Sequence, residues 1–222
     1  MKFLHTSDIH IGAKFLSLGS KGLQQRVSIK QTFEKIVNTV CENNIDLLLI
    51  SGDIFDQPYP SQVDIAFVKS LFLKLDKLGK WITVIAGNHD RMENGSVWLQ
   101  EHWKEIKNLI IFSSNCNHFY IDSLNTHLYA NSIYSQFSEN NPLEGIRVTV
   151  KKNKTSFPNS HHIVLAHGGI DIGQKSDNYL MKKNELASLG ADYVALGDWH
   201  SLLLVNSRSK ELTDYIYSEG SS

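Results

Sequence analysis

Aspartate, asparagine and histidine residues cluster directly after short apolar runs of the sequence. Each run predicts a core strand, and the residue types that follow it are those that bind divalent cations or transfer protons. In an open α/β sheet, ligands bind at the edge formed by the carboxyl ends of the strands. The clusters are Asp8-Ile9-His10, Gly52-Asp53-Ile54-Phe55-Asp56, Gly87-Asn88-His89-Asp90, His167-Gly168-Gly169 and Gly197-Asp198-Trp199-His200.

Each cluster, taken singly, also has an ordinary structural explanation. Asp8 can cap a turn beside an exposed His10, and Gly52 allows a sharp turn after its strand. A single histidine such as His167 is more often structural than a metal ligand. Five clusters in this order, each after a predicted core strand, are hard to explain as five independent turns. Together they predict a metal site.

The elements that position these clusters alternate between strands and amphipathic helices, as parallel βαβ units do. Core strands are predicted at residues 2–6, 47–50, 81–86, 163–166 and 193–196, with shorter β-like runs at 119–122 and 127–129. A first helix is predicted because apolar residues recur at helical spacing. These residues are Ile29, Phe33, Ile36, Val37 and Val40.

A second helix is predicted to begin at Ser61, where Ser61 and Asp64 resemble a capping box, and to end before Gly79. A third, shorter helix is predicted over residues 97–104. The apolar stripe predicted for the second helix consists of Phe67, Leu71, Leu75 and Leu78.

The composition, with 41% hydrophobic and 20% charged residues, is typical of a globular protein with a sizeable core. A formal net charge of -1 provides no global basic field for binding nucleic acid or membranes. Binding of a polyanion would then depend on metal ions or on a local patch. The polar stretch at 135–160 is predicted to be a solvated surface loop, and the alternative is a phosphate-contacting patch of Lys151, Lys152 and Lys154.

The two cysteines, Cys41 and Cys116, are far apart and lie in no CxxC arrangement. This favours buried free thiols in a reducing compartment over a disulfide or a zinc site. The amino-terminal segment turns polar too early for a secretory signal, and the longest apolar runs are too short for a membrane span. We therefore expect a cytoplasmic protein without membrane contact.

As a set, the clusters resemble the calcineurin-like metallophosphoesterases, whose pattern is D-x-H, G-D-x-x-D, G-N-H-[DE], a single His and then G-H-x-H. The match runs from residue 8 to residue 200. Within that superfamily, the opening residues 4–12 are most similar to SbcD-type DNA repair exonucleases. The resemblance implies an α/β fold, arranged as a four-layer αββα sandwich, and metal-dependent hydrolysis of phosphodiesters with DNA as the substrate.

The resemblance also implies a role for each residue. One metal ion would be held by Asp8, His10, Asp53 and His200, and the other by Asp53, Asn88, His167 and Asp198. Asp53 would bridge the two ions, and His89, oriented by Asp56, would donate a proton to the leaving group. Two cations about 3.5–4 Å apart bind phosphate oxygens and activate a water molecule as hydroxide. Imidazole and oxygen ligands together favour Mn, with Fe, Zn or Mg as alternatives.

The sequence departs from the family pattern in two ways. Asp198 stands where the family usually has histidine, which should harden the second metal site toward Mn or Mg. SbcD-type chains usually continue into a DNA-capping region and a segment that docks an ATPase partner subunit, whereas this sequence stops at Ser222. We expect one metallophosphoesterase domain over residues 1–222 that ends before such a capping region, and an ATPase partner only if a longer chain carries the docking segment.

Two other functions remain open from the sequence. The chain could be a phosphodiesterase for a small nucleotide or another phosphoester that is not DNA, which its near-neutral charge favours. It could also be a metal-binding scaffold without catalytic activity. A scaffold has no need of an acid and a residue that orients it, so the presence of His89 together with Asp56 favours an enzyme.

Overall fold

The computed structural model describes residues 1–19, 21–114, 116–171 and 178–198, so the predicted metal ligand His200 lies outside the described residues. In chain order the strands and α-helices are β1 Phe3–Thr6, α1 Lys21–Glu42, β2 Leu47–Ser51, α2 Gln62–Lys77, β3 Trp81–Ile85, β4 Leu109–Ile111, β5 His118–Ile121, β6 Thr126–Ala130, α3 Ile146–Ser156, β7 His161–His167, β8 Ile170–Asp171, β9 Met181–Lys182, α4 Lys183–Ser188 and β10 Tyr193–Gly197. Every predicted strand is present within one or two residues of its expected ends.

Two four-stranded sheets form the centre of the described structure. The first has the order β1-β2-β3-β4 and is entirely parallel. The second has the order β10-β7-β6-β5, in which only β5 is antiparallel to its neighbour. Because parallel strands are joined by crossover connections, the outer faces of both sheets are available for helices.

Three apolar layers hold these elements together. On β2, Leu47 and Leu49 pack between the two sheets, whereas Leu48 and Ile50 face the opposite side and pack with α1 and α2. Beyond the second sheet, α3 and α4 cover its outer face. The alternation along β2 follows from the two-residue period of a strand that is buried on both faces. The predicted four-layer αββα sandwich is confirmed.

Helix α2 begins and ends where the sequence predicts. The Ser61 side chain accepts a hydrogen bond from the Asp64 backbone N–H, and Gly79 follows the helix with a φ of +68°. Its buried residues are Ile65, Val68, Leu71, Phe72 and Leu75. The predicted stripe is therefore only partly correct, because Leu78 lies beyond the last turn and is 52% exposed.

Two other local predictions are wrong. Residues 97–104 form two 3₁₀ segments, Val97–Leu99 and Glu101–Glu105, and not one α-helix. Part of the polar stretch at 135–160 is helix α3, which buries Ile146 and Val150 against the second sheet. Two apolar residues four positions apart are too short a pattern to identify a helix.

None of the helices in the described ranges is both long and apolar enough to cross a membrane. Cys41 and Cys116 are free, as predicted, but both are half-buried and not fully buried.

Three histidines stack on the second sheet, away from the predicted metal ligands. The ring of His127 lies 5.2 Å from the ring of His118 and 4.9 Å from that of His162, with interplanar angles of 8° and 3°. The hydroxyl of Tyr129 lies 2.8 Å from His162 Nδ1. Burial, together with the neighbouring His162 and His118, lowers the pKa of His127 to about 4.

Replacing His127 with glutamine is expected to make the free energy of unfolding less dependent on pH. Because the folded-state pKa lies below the ordinary value of 6.5, the unfolded state binds the proton more readily, and the protein loses stability as pH falls from 6.5 toward 4. For His127 this loss amounts to at most about 3 kcal/mol. Urea unfolding of metal-free protein at pH 7 and pH 4.5 measures it.

The matched control is His161→Gln, because His161 is exposed at the start of β7. This variant should keep the pH dependence of the parent protein. A His127→Gln variant that is destabilised equally at both pH values would show that His127 contributes packing alone.

Candidate metal centre

The loops after β1 and β2 run side by side at the carboxyl edge of the first sheet. Backbone hydrogen bonds join Asp8 N–H to Gly52 O at 3.1 Å and His10 N–H to Asp53 O at 3.0 Å. Asp8, His10 and Asp53 all have a left-handed backbone, with φ values of +56°, +54° and +55°. Such conformations cost of order 1–3 kcal/mol each for residues other than glycine and occur preferentially at functional sites.

Glycines allow the other loops to approach these residues closely. A Cβ atom on Gly52, whose φ is +95°, would overlap His167 Nδ1, and a Cβ atom on Gly87 would overlap Asp53 Oδ1. Side chains at either position would therefore separate the end of β7, or the loop after β3, from Asp53. Glycine is therefore required at positions 52 and 87 because neighbouring atoms leave no room for a Cβ atom.

One group of potential ligand atoms surrounds His167 Nε2. This nitrogen lies 2.9 Å from Asn88 Oδ1, 3.4 Å from Asp53 Oδ2 and 3.8 Å from Asp198 Oδ1. The other ring nitrogen, Nδ1, donates a hydrogen bond to Ser51 O at 2.8 Å. That bond leaves Nε2 facing the three oxygens, so that a cation placed among them would replace the Nε2 proton and bind this nitrogen, which is the usual arrangement of a histidine that binds a metal.

A second group of potential ligand atoms lies on the other side of Asp53. Ligand atoms of Asp8, His10 and Asp53 all lie within 4.8 Å of one another. His10 Nε2 is 3.9 Å from Asp53 Oδ2, and the Asp198 N–H lies 3.1 Å from both oxygens of the Asp8 carboxylate. Because Asp53 belongs to both groups, its position suits a carboxylate that bridges two cations.

The buried carboxylates and histidines of the site favour the binding of cations. Burial lowers the pKa of His167, but Asp53, Asp8 and Asp198 outweigh it and raise this pKa to about 10. Burial raises the pKa of Asp53, but His167 and His10 outweigh it and lower this pKa to about 2. The buried carboxylates thus require positive charge nearby. Divalent cations supply that charge and release the imidazole protons, so the residues present fit a metal centre.

The environment of His89 differs in part from the prediction. Its Nδ1 donates a hydrogen bond to the backbone carbonyl of Asp56 at 3.2 Å, whereas the Asp56 carboxylate is 3.8 Å away. That carboxylate lies closer to His10 Nδ1, at 3.5 Å. The ring of His89 packs edge-on against His10, with centroids 4.6 Å apart. Asp56 therefore positions two histidines, one through its backbone and the other through its side chain.

The structure thus brings together eight of the nine residues predicted for the site, and the ninth, His200, lies beyond the described range. The sequence profile of the calcineurin-like phosphoesterases matches residues 1–202. The chain belongs to the calcineurin-like phosphoesterase family. Members of this family are hydrolases that act on phosphoester bonds, and they use a dinuclear metal centre.

Two relatives of this calcineurin-like phosphoesterase are longer proteins. The uncharacterized metallophosphoesterase YhaO of Bacillus subtilis is 27% identical over 208 residues, which are 90% of this chain and 48% of YhaO. The DNA double-strand break repair protein Mre11 of Methanopyrus kandleri is 31% identical over 104 residues, which are 44% of this chain and 21% of Mre11. The chain therefore spans about half of the first relative, and its match to the second covers about a fifth of that protein.

Asp90 contributes to the phosphoesterase site in a way that the sequence analysis did not assign. Its carboxylate is completely buried and accepts hydrogen bonds from the backbone N–H groups of Gly87 at 2.8 Å, Ile54 at 3.0 Å and Phe55 at 3.2 Å. Burial, together with the charge of Asp53, raises its pKa to about 6. Asp90 joins the loops after β2 and β3. The sequence feature that could have indicated this role is the position of Asp90 at the end of the cluster Gly87-Asn88-His89-Asp90.

Replacing Asp198 with alanine is expected to weaken one of two metal sites and to leave the other occupied. Its carboxylate lies 3.8 Å from His167 Nε2, in the group of ligand atoms that surrounds this nitrogen. Asp198→His should keep both ions and shift preference from Mg toward Zn or Co, because imidazole is the softer ligand. Calorimetric titration of metal-free protein with Mn, Mg and Zn measures both effects.

The control is Asp122→Ala, which removes an exposed carboxylate at the end of β5. It should bind both ions as the parent does. If Asp198→Ala also binds both ions with parental affinity, Asp198 is a turn residue and not a ligand.

Proposed function

We propose that this phosphoesterase is a DNA exonuclease of the SbcD type that acts in DNA repair. The observation that carries the proposal is the position of Asp53 Oδ2 between His10 Nε2 and His167 Nε2, which suits the two-metal cleavage of a phosphodiester. The choice of DNA is supported by the partial similarity to a protein named for double-strand break repair. The SbcD-like opening at residues 4–12 supports it further.

Six of the described residues, together with His200 outside the described ranges, would hold two cations. Asp8, His10 and Asp53, with His200, would hold one, while Asp53, Asn88, His167 and Asp198 would hold the other. When bound, the cations supply Lewis-acid activation of water and neutralise charge on the phosphate. The mixture of imidazole, amide and carboxylate ligands favours Mn, with Fe, Zn or Mg as alternatives.

His89 is the residue proposed to transfer a proton to the leaving oxygen. Its side chain is 43% exposed, so a substrate can reach it beside the buried metal ligands. Since the Asp56 carbonyl accepts the hydrogen on Nδ1, the opposite nitrogen, Nε2, is the one available to the substrate. This geometry suits a general acid that is oriented by the backbone.

The proposal also concerns the location and the partner of the whole protein, and one other function is a candidate. A cytoplasmic location is supported by the two free thiols, Cys41 and Cys116. An ATPase partner subunit is proposed, from the resemblance to SbcD-type nucleases, for a longer chain that carries the docking segment. A small-nucleotide phosphodiesterase is the second candidate function, because a net charge of -1 provides no global attraction to DNA.

The test compares substrates that differ in length and ends. Bis(p-nitrophenyl) phosphate, dinucleotides, linear single-stranded and double-stranded DNA, and closed circular DNA are incubated with Mn, Mg or a chelator. The proposal expects metal-dependent hydrolysis of linear DNA from its ends and no cleavage of the circles. Hydrolysis restricted to the dinucleotide and the nitrophenyl ester would reject the exonuclease and support the second candidate.

A further inference from the structure

An open pocket adjoins the metal centre on the side of α1. It has a volume of about 230 Å³ and reaches His10 at one end. This volume is below the roughly 300–1,000 Å³ of typical small-molecule sites, so it suits one unit of a larger substrate. The lining residues used in the argument are Gly12, Leu23, Arg26, Val27, Lys30 and Asp64.

One face of α1 forms the wall of this pocket. Leu23, Arg26, Val27 and Lys30 are spaced i, i+3, i+4 and i+7, so they share one side of the helix. The core of the fold uses the adjoining side, on which Ile29 and the later apolar residues are buried, and Ile29 also lines the pocket. Leu23 and Val27 remain 66% and 55% exposed. Packing of the core does not account for these two apolar residues.

The two basic residues of the wall differ in their partners. Lys30 Nζ forms an ion pair with Asp64 Oδ1 at 2.6 Å and lies 5.2 Å from the centre of the Phe67 ring. Arg26, in contrast, is exposed and makes no ion pair or side-chain hydrogen bond within the described ranges of the chain. Its guanidinium is therefore available for an external anion, and such a group can bind phosphate through two parallel hydrogen bonds.

The charge of this segment supports an anionic ligand. Between Gly12 and Phe33 the sequence contains no acidic residue and has four basic residues, namely Lys14, Lys21, Arg26 and Lys30. The whole chain has a net charge of -1, so this positive segment is local. Two of its basic residues, Arg26 and Lys30, line the pocket, as does His10 of the metal centre.

We propose that this pocket binds the nucleotide next to the scissile phosphodiester, with Arg26 contacting its phosphate and Leu23 and Val27 contacting its sugar and base. A nucleotide strand repeats a phosphate beside a less polar sugar and base, which matches a guanidinium beside two apolar side chains. The assignment rests on the proposed function, since it requires a nucleotide substrate. Residues outside the metal centre would then select the substrate.

The test compares Arg26→Gln with Lys35→Gln, which removes an exposed positive charge on the same helix α1 at a position that does not line the pocket. Arg26→Gln should raise KM for a short single-stranded oligonucleotide roughly tenfold and leave hydrolysis of bis(p-nitrophenyl) phosphate unchanged. The dependence of log KM on log salt should decrease by about 0.7, as for one lost phosphate contact. Leu23→Asp, which adds a negative charge to the exposed wall, should raise the same KM.

A binding measurement separates this assignment from the proposed function. Anisotropy of a fluorescein-labelled tetranucleotide is titrated with Mn-loaded His89→Asn protein, with and without Arg26→Gln. Oligonucleotide binding that depends on Arg26 would support the pocket even if the parent enzyme fails to degrade DNA. Degradation of DNA with KM and Kd independent of Arg26 would reject the pocket and leave the exonuclease in place. An equal loss on the oligonucleotide and on the nitrophenyl ester would also reject it.

Discussion

Replacing Asp53 with alanine is expected to abolish phosphoester hydrolysis and to reduce bound metal from about two ions per chain to one or none. Asp53 Oδ2 lies 3.9 Å from His10 Nε2 and 3.4 Å from His167 Nε2, so the same carboxylate belongs to both groups of ligand atoms. Its removal takes a negatively charged ligand from each ion. Elemental analysis of the purified variant, combined with turnover of bis(p-nitrophenyl) phosphate, measures the two effects.

The Asp122→Ala variant again serves as the control, and it should retain parental activity and metal content. Because Asp53 also accepts a hydrogen bond from the His89 N–H at 2.9 Å, circular dichroism must establish that the Asp53→Ala variant is folded. Two tightly bound ions in the folded variant would show that Asp53 does not bridge them.

Replacing His89 with asparagine is expected to lower kcat for DNA by about 10²–10⁴-fold, the range typical of a positioned general acid, and to keep both metal ions. The His89 ring contacts His10 and the backbone carbonyl of Asp56. The ligand atoms around His167 Nε2 come from Asn88, Asp53 and Asp198 instead. The loss should be smaller for bis(p-nitrophenyl) phosphate, since p-nitrophenolate leaves without being protonated. Steady-state kinetics on both substrates measure this difference.

His161→Asn is the matched control for His89→Asn, because His161 is exposed at the first position of β7, at the opposite end of that strand from the predicted ligand His167. Its kinetics should equal those of the parent. Loss of metal from His89→Asn would identify His89 as a ligand. An equal loss of activity on both substrates would show that His89 does not protonate the leaving group.

The order of elements and most of the site could be predicted from local patterns. Buried strands appear as compact apolar runs, as in residues 47–50, and the chemistry lies in the polar residues directly after them. In the first sheet β1 pairs with β2 in parallel, Phe3 opposite Leu47, so their carboxyl ends coincide and Asp8 meets Asp53. This property of parallel sheets predicted that the clusters meet in one site, whereas the role of each residue came from the resemblance to the phosphoesterase family.

Local patterns could not predict contacts that depend on the approach of separate loops. Asp56 and Asp90 are each the last carboxylate of a sequence cluster. The Asp56 carboxylate lies beside two histidines, whereas the Asp90 carboxylate is completely buried and accepts backbone hydrogen bonds. That difference follows from the backbone bonds between the loops after β1 and β2 and from the close approach of Gly87 to Asp53. Neither leaves a pattern in the local sequence.

The sequence by itself determined the strands, the helices with long apolar stripes, and the residue types available for a metal centre. The tertiary structure decided how those residues divide into two groups around Asp53, and that one face of α1 lines a pocket reaching His10. The physical reason is that hydrophobic periodicity records which side of an element is buried. The distances between side chains on different elements depend instead on sheet register, on packing between layers, and on loops that only glycine allows to come close.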